Sequence, residues 1–317
     1  MPEQIRQDAT SPWHRGELVM QRSVGVVERM DGPGRNFVRK AMPEQHRAFF
    51  PMLPFLVLGA VDANGDVWAT VRAGRPGFMS SPDPEVLDVD LPRDPADPAD
   101  AGMEDGDAIA MLGIQLETRR RNRLNGVIRR TDAEAFRLRV GQSFGNCPQY
   151  IQPRSSVFVR DPDRPTTAAP LHSAQLDDRM RGMIEDADTF FVASYVDRDH
   201  GERQVDVSHR GGYAGFVHLG ADGVLTIPDF SGNRFFNTLG NFLVNPKAGL
   251  VFIDFETGDM LQMAGTVEVL LDSPDITAFQ NAERLWRFTP AEIVLRPDAL
   301  PLRWSKENTD LLRRSRG

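Results

Sequence analysis

Cysteine is almost absent from this chain of 317 residues, and long apolar runs are absent altogether. The single cysteine, Cys147, has no second cysteine with which to form an internal disulfide, which is typical of a protein kept in a reducing compartment. No segment is apolar enough to predict a membrane-spanning helix, and the amino-terminal segment lacks the apolar core of a signal peptide. These absences predict a soluble, cytoplasmic protein.

An excess of positive charge is also lacking. Lys and Arg number 37 and Asp and Glu 45, so the formal net charge is −8. A chain with this charge is repelled by nucleic acid and by anionic membranes, and we expect neither as a partner. A local basic cluster can still bind a small anion. The length leaves room for two ordinary domains.

Two parts of the chain repeat each other. "GIQLETRRRNRLNGVI" (113–128) aligns without a gap with "FIDFETGDMLQMAGTV" (252–267), and "FLVLGAVDANGDVWATV" resembles "FFVASYVDRDHGERQVDV" upstream. A third block aligns "NCPQYIQPR" (146–154) with "FTPAEIVLR" (288–296). Three blocks in one order predict a duplicated domain. The predicted parts are an amino-terminal arm (1–38), a first copy (39–160), a second copy (171–297) and a tail (298–317).

Each copy has the pattern of short strands joined by tight turns. Hairpins are predicted at three dipeptides that each contain a glycine, which accepts a positive φ. These are Asn64-Gly65, Asp222-Gly223 and Thr257-Gly258. Helices are predicted for "MPEQHRAFFPML" and "AQLDDRMRGMIEDA" ahead of the two copies, and for "SPDITAFQNAERLWRF" before the last strand. The pattern predicts a mainly β fold with flanking helices, closed into barrels.

The two copies differ between their first hairpin and their third strand. The first has "LPRDPADPADAGMEDGDAIA", whose acidic, proline-rich composition predicts a solvated loop. The second has "PDFSGNRFFNTLGNFLVNPKAG", a short helix ended by Asn-Pro, whose start we expect Ser231, Asn233 or Asn237 to cap. With Arg234, that start is either a capped connector or an anion site. Its absence from the first copy favours the anion site.

Two further stretches are candidates for ligand contact. In "VDVSHRGG", Asp206 and Ser208 share one face of a strand, which either lines a ligand or faces solvent. In "ETRRRNRLNG", Arg119, Arg121 and Arg123 share a face, which either binds an anion or forms a solvated hairpin tip.

Nucleophilic and metal sites are not expected. Cys147 has no evident activating partner, so we predict that it is a buried, structural residue. His200 and His209 have no third ligand at a matching spacing, so no metal site is predicted.

Taken together, these motifs resemble the pyridoxamine 5'-phosphate oxidase-like, FMN-binding split-barrel family. The pieces "FVASYVD", "TIPDFSGNR", "NPKAGLVF" and "LQMAGTVE" occur in the order typical of that family, and "NCPQYI" in the first copy is another of its patterns. The resemblance implies tandem split β-barrels that form a pseudo-dimer, with FMN lying between them. The first repeat would be degenerate and the second would hold the FMN phosphate.

The resemblance also implies roles for individual residues. Asp206 and Ser208 would border the flavin or its phosphate, Ile227 and Pro228 would offer backbone atoms to the ring, and Gln262 would face the flavin. The phosphate would be held by Asn233, Arg234, Asn237, Thr238 and Leu239. Arg119, Arg121 and their neighbours in the first copy would reach across between the barrels.

The function that the resemblance implies is an FMN-dependent oxidoreductase with an unknown small-molecule substrate and no identified catalytic residue. The electron donor would be NAD(P)H or a reductase. The alternative is a non-catalytic protein that binds flavin or haem in the same cleft. The chain would act as a monomeric pseudo-dimer or as a homodimer.

Overall fold

The computed structural model describes residues 11–130, 132–198 and 201–306. The α-helices in these ranges are α1 (Arg15–Ser23), α2 (Val27–Phe37), α3 (Glu44–Arg47), α4 (Asp178–Glu185) and α5 (Asn237–Val244). The strands of the first half are β1 (Phe55–Val61), β2 (Val67–Ala73), β3 (Met79–Asp83), β4 (Val86–Val89), β5 (Ala108–Gln115), β6 (Arg120–Arg129), β7 (Phe136–Gly145) and β8 (Arg154–Phe158). Those of the second half are β9 (Leu171–Ser173), β10 (Thr189–Asp197), β11 (Arg203–Gly211), β12 (His218–Leu219), β13 (Leu225–Phe230), β14 (Lys247–Ile253), β15 (Met260–Leu270), β16 (Ala282–Arg296) and β17 (Leu302–Lys306).

Most of the strands form two antiparallel sheets with one topology, while β8 and β17 form a separate two-stranded sheet. The first large sheet has the order β2-β1-β5-β6-β7-β4-β3 and the second β11-β10-β14-β15-β16-β13-β12, with β9 added beside β16. When the two orders are compared position by position, each of the seven strands of the first sheet has a counterpart in the second. The fold is therefore mainly β with flanking helices, arranged as tandem split barrels in a pseudo-dimer.

A glycine at the same place in each copy supports the duplication. The β6–β7 register shifts between Asn125 and Gly126, and the β15–β16 register shifts between Ala264 and Gly265. A Cβ on Gly126 would lie 2.0 Å from a backbone oxygen of β7, and one on Gly265 would lie 2.1 Å from the oxygen of Thr289. Both bulges need the close backbone approach that only glycine permits.

The third block of the sequence alignment is wrong. Residues 288–296 lie in β16, whose counterpart is β7, whereas residues 146–153 follow β7 as a connection. The bulges set the true register, because Gly126 pairs with Val140 and Gly265 with Pro290. The predicted helix before the last strand is also largely wrong. Only a 3-10 turn forms at Pro274–Ala278, since the segment from Ala282 onward pairs with β13 and β15.

The predicted helices ahead of the two copies and the three predicted hairpins are confirmed. α3 and α4 precede β1 and β10, and the three hairpin glycines have positive φ values of 78° (Gly65), 82° (Gly223) and 75° (Gly258). The tail contributes β17, which pairs with β8 at the end of the first copy. No helix among the described residues has the length and hydropathy to cross a bilayer.

Apolar packing between the copies joins them into one body. Each barrel has its own core, and a third cluster joins Val57 and Leu112 of the first copy to Val205, Val207 and Val251 of the second. Burial of such surface contributes roughly 25 cal/mol per Å². At its edge the interface becomes polar, with β6 residues contacting β11 residues through side-chain hydrogen bonds.

Candidate functional site

A cleft opens between the two copies beside the start of α5. It encloses about 880 Å³ of space, part of it open to solvent. The first copy contributes β6 and the connection after β7, and the second contributes β11, β13, β16 and the segment leading into α5. The aromatic rings of Tyr150 and Phe230 pack together at its edge with centroids 5.3 Å apart.

Arginines from both copies converge on this cleft. Arg121 and Arg123 come from β6, Arg210 from β11 and Arg284 from β16. Arg123 donates across the interface to the hydroxyl of Ser208, and Arg121 donates to a backbone oxygen at 2.6 Å. Within the described chain, the Nε atoms of Arg121, Arg123 and Arg210 and the Nη1 atom of Arg123 are buried without a hydrogen-bond partner. Buried donors of this kind are costly unless an acceptor reaches them.

The charge of this cluster is only partly balanced. Burial, together with repulsion from Arg123 and Arg210, lowers the pKa of Arg121 to about 9. Burial also lowers the pKa of Arg123 to about 10, against the attraction of Asp206. Both guanidinium groups stay protonated at neutral pH. Because these cations destabilise one another, a bound anion would stabilise them together.

The start of α5 faces the same cleft without a cap. Its N-cap residue, Phe236, has a left-handed backbone with φ 62° and makes no side-chain cap hydrogen bond. The expected caps are wrong, because left-handed turns at Arg234 and Phe236 redirect the chain. The Asn233 side chain accepts from the Phe235 N–H instead, and Asn237 Nδ2 donates to Glu17 at 2.5 Å. An uncapped helix start offers free N–H groups and partial positive charge to an anion.

The corresponding place in the first copy holds an internal carboxylate. There a 3-10 helix, Pro98–Gly102, stands in place of α5 and is capped by Asp97. Asp97 is only 2% exposed, accepts from Thr70 at 2.5 Å and from Gln262 at 2.9 Å, and is ion-paired with Arg296 at 3.2 Å. The predicted solvated loop is therefore wrong at this point, because partners from the second copy bury it.

Gln262 belongs to this internal site and not to the cleft. It lies three residues before the bulge glycine of β15, as Arg123 does in β6. Its side chain is fully buried and donates to Asp97 and to a backbone oxygen of β2. Gln262, which was expected to face the flavin, therefore does not line the cleft beside α5 and instead contacts the buried carboxylate of Asp97.

Most of the residues predicted for the cofactor site do line the cleft. They are Arg121, Ser208, Pro228, Asn233, Arg234, Asn237, Thr238 and Leu239. Arg234, however, forms a two-pronged ion pair with Glu283, with both distances 2.6 Å, so its charge is already neutralised. Arg234 therefore has less free charge to offer an anion than Arg121 and Arg123, whose buried Nε atoms have no hydrogen-bond partner in the described chain.

Three other predicted residues lie elsewhere. Asp206 is fully buried and accepts from Asn125 at 2.7 Å and Asn241 at 3.0 Å, so it stabilises the copy interface. Ile227 is in the second barrel core. Arg119 is an exposed turn residue with φ 56°, one position before β6, and does not line this cleft.

Several lining residues were missed. Arg210 is two positions beyond Ser208 on β11, so the strand alternation that selected Ser208 selects Arg210 as well. Arg284 was hidden by the wrong helix assignment. Cys147 is half-buried at the cleft, and the prediction of structural burial is wrong, because its backbone turns inward to accept from Arg121.

One histidine in the cleft lining is buried and neutral. His209 is buried, and desolvation and the surrounding arginines hold its pKa well below the usual value. Its Nε2 atom has no hydrogen-bond partner in the described chain. No group of three or more metal-binding side chains occurs among the described residues, and His200 lies outside them.

Helix α1, in the amino-terminal arm, packs directly against α5. The two helices cross at glycines, so a Cβ on Gly16 would lie 2.0 Å from the oxygen of Gly240. Beside this crossing, Glu17 accepts from the His14 N–H at 2.9 Å and from Asn237. Burial raises the pKa of Glu17 to about 8, so the carboxyl is mostly protonated at neutral pH.

We expect Gly16→Ala to lower the free energy of unfolding by about 2 kcal/mol, because the new methyl group forces α1 off α5. Urea unfolding followed by circular dichroism measures the change. The control is Gly182→Ala in α4, where a Cβ would meet nothing within 4 Å. Equal stability of Gly16→Ala and the parent protein would contradict the close crossing.

No family model matches the chain, and no curated protein matches it. Among solved structures, a general stress protein 26-related protein of the pyridoxinephosphate oxidase family from Clostridium acetobutylicum is 14% identical, with a TM-score of 0.26, covering 41% of this chain and 94% of that one. The haem storage protein HutZ of Vibrio cholerae is 15% identical (TM-score 0.27, 39% and 95% covered). An FMN-binding protein of Syntrophomonas wolfei is 17% identical (TM-score 0.24, 38% and 88% covered). Because these TM-scores are low, the fold assignment rests on the strand order described above and not on these similarities.

Proposed function

We propose that the cleft beside α5 binds the phosphate of FMN, and that the protein is an FMN-dependent oxidoreductase acting on a small molecule not yet identified. The observation that carries the proposal is the difference between the two pseudo-equivalent places. In the first copy Asp97 caps the helix start and is ion-paired with Arg296. In the second copy the helix start has no side-chain cap and the arginines facing it have unpartnered donors.

The donors in the cleft match a phosphate monoester. Arg121 and Arg123 would supply positive charge, and the first-turn N–H groups of α5 would donate hydrogen bonds. The hydroxyls of Thr238 and Ser208, which lie 2.9 Å apart, would add two more hydrogen-bonding groups. The cleft edge supplies apolar surface at Pro228 and Phe230 against which a planar ring would pack. Bound flavin would supply hydride and electron transfer, while these side chains hold and orient it.

Titration of the apo-protein with FMN tests the proposal. We expect one FMN bound per chain, and riboflavin, which lacks the phosphate, bound at least about 100-fold more weakly, since the phosphate meets several charge-assisted hydrogen bonds. Quenching of flavin fluorescence measures both. Bleaching of the bound flavin by NADH or NADPH, with recovery in air, tests the oxidoreductase. Equal affinity for riboflavin and FMN, or no binding of either, would overturn the phosphate assignment.

A second candidate function is haem binding. The observation that favours it is His209, a buried, neutral imidazole in the cleft lining with a free Nε2 atom. Such a nitrogen would be able to bind haem iron, and the surrounding arginines would pair with the propionates. A Soret band on haem addition that is lost in His209→Ala, with no affinity for FMN, would select this candidate.

A further inference from the structure

A second cleft adjoins the first on the far side of Arg121. It encloses about 1420 Å³, part of it open to solvent, between α2, α3, the turn from β5 to β6 and the connection after β7. Arg121, Asn146, Cys147 and Asn233 line both clefts. A ligand in the second cleft would therefore lie against the phosphate site.

The second cleft is lined by positive charge. Arg39, Arg119, Arg120 and Arg121 line it, and none of its lining residues is acidic. Within the described chain, the Arg39 and Arg119 side chains make no hydrogen bond or ion pair. Arg120 lies over the ring of Phe49, 4.3 Å from its centroid. In a chain of net charge −8, this local concentration of arginine attracts an anion with more than one charge.

Within the described residues, two buried amide atoms at the second cleft also lack hydrogen-bond partners, which indicates a ligand with polar groups besides its negative charge. Asn122 is only 4% exposed and lines the second cleft, yet its Nδ2 atom has no partner in the described part of the chain. The Oδ1 atom of Asn146 is buried without a partner as well. Asn122 pairs with Gly145, the residue before Asn146, so this part of the cleft has both a buried amide donor and a buried amide acceptor, which match a ligand that carries both kinds of group.

The opposite wall of the second cleft is apolar. Met30 and Phe235 are buried there, whereas the ring of Phe37 is 53% exposed. Pro33, in α2, completes this surface. A flat ring can pack on the wall while its phosphates face the arginines. A small inorganic anion would leave the apolar wall exposed to water.

We propose that the second cleft binds the ADP group of a nucleotide. The site stands on its own residues, and its position beside the flavin rests on the proposed function. The ADP group has two sources. It can be the second half of a flavin dinucleotide whose flavin half fills the first cleft, or it can belong to a separate nicotinamide nucleotide that donates electrons to FMN.

Binding measurements on the full chain test the site. We expect either that ADP binds to the FMN-loaded protein, which indicates a separate nucleotide, or that FAD binds at least about tenfold more tightly than FMN, which indicates a dinucleotide cofactor. In either case we expect the double variant Arg39→Gln/Arg119→Asn to lower the affinity for ADP, or for FAD, about tenfold and to leave the affinity for FMN unchanged. Both residues are exposed, and asparagine tolerates the left-handed backbone of residue 119.

Lys40→Gln is the matched control, since it removes one exposed charge beside Arg39 without lining the cleft. Absence of ADP binding together with FAD no tighter than FMN would overturn the proposal. So would an equal loss of ADP affinity in Lys40→Gln and in the double variant. ADP is also titrated into the flavin-free protein. Arginine-dependent ADP binding there, with no affinity for FMN, would support this site while overturning the proposed flavin function.

Discussion

Phe236→Asp is expected to weaken FMN binding by at least about 100-fold, which corresponds to about 2.7 kcal/mol. The new carboxylate would stand at the N-cap of α5, where Asp97 stands in the first copy. It would lie at the partly positive helix start and near Arg284, whose guanidinium lies over the Phe236 ring, 5.0 Å from its centroid. The same carboxylate would repel the phosphate, so the cleft would become closed to anions in the way that the first copy is.

Phe236→Asn is the matched control, because it removes the same ring and tolerates the left-handed backbone without adding charge. We expect the flavin-free Phe236→Asp protein to be more stable than Phe236→Asn by about 1 kcal/mol, since only aspartate neutralises the cluster. Fluorescence titration and urea unfolding measure the two effects. Equal FMN affinity in the two variants would show that the phosphate does not bind at the start of α5.

Gly265→Ala is expected to destabilise the protein by about 3 kcal/mol or more. The new methyl group would lie 2.1 Å from the backbone oxygen of Thr289, so the bulge could survive only if β15 and β16 moved apart. Gly126→Ala should have a similar effect, because its methyl group would lie 2.0 Å from the backbone oxygen of Arg139. The two bulges are the same structural feature in the two copies.

The comparison for both substitutions is again Gly182→Ala, which adds a methyl group in open space within α4 and should be neutral or stabilising by up to about 1 kcal/mol. Urea unfolding compares the three variants. A Gly265→Ala protein as stable as Gly182→Ala would contradict the bulge geometry. A large loss of stability in Gly265→Ala without a similar loss in Gly126→Ala would show that the two bulges do not contribute equally to stability.

The difference between the two pseudo-equivalent sites explains how a duplicated fold becomes asymmetric. Asp97 and Gln262 stand in one site where Phe236 and Arg123 stand in the other. The Asp97 carboxylate caps the helix start and neutralises Arg296, as a bound anion would, so the described residues of the first site offer no free positive charge to a ligand. We therefore expect one ligand phosphate per chain.

The sequence by itself determined the hairpins, most of the strands and the duplication. Glycines that accept a positive φ placed the hairpins, alternating apolar residues indicated strands, and the equal spacing of "ET" and glycine in two stretches exposed the repeat. It also identified the segment around α5 as the place where the copies differ. These features depend on neighbours within a few residues, which a sequence pattern records directly.

Only the tertiary structure decided which charges are free. Arg234 has the sequence context of a phosphate contact, yet Glu283, 49 residues away, neutralises it. Asp97 sits in an acidic, proline-rich stretch, yet Thr70, Gln262 and Arg296 bury it. Arg121 and Arg123 resemble a solvated hairpin tip, yet the second copy encloses them. The physical reason is that the free energy of a charge depends on its solvation and its partners, and the fold brings those partners together from distant parts of the chain.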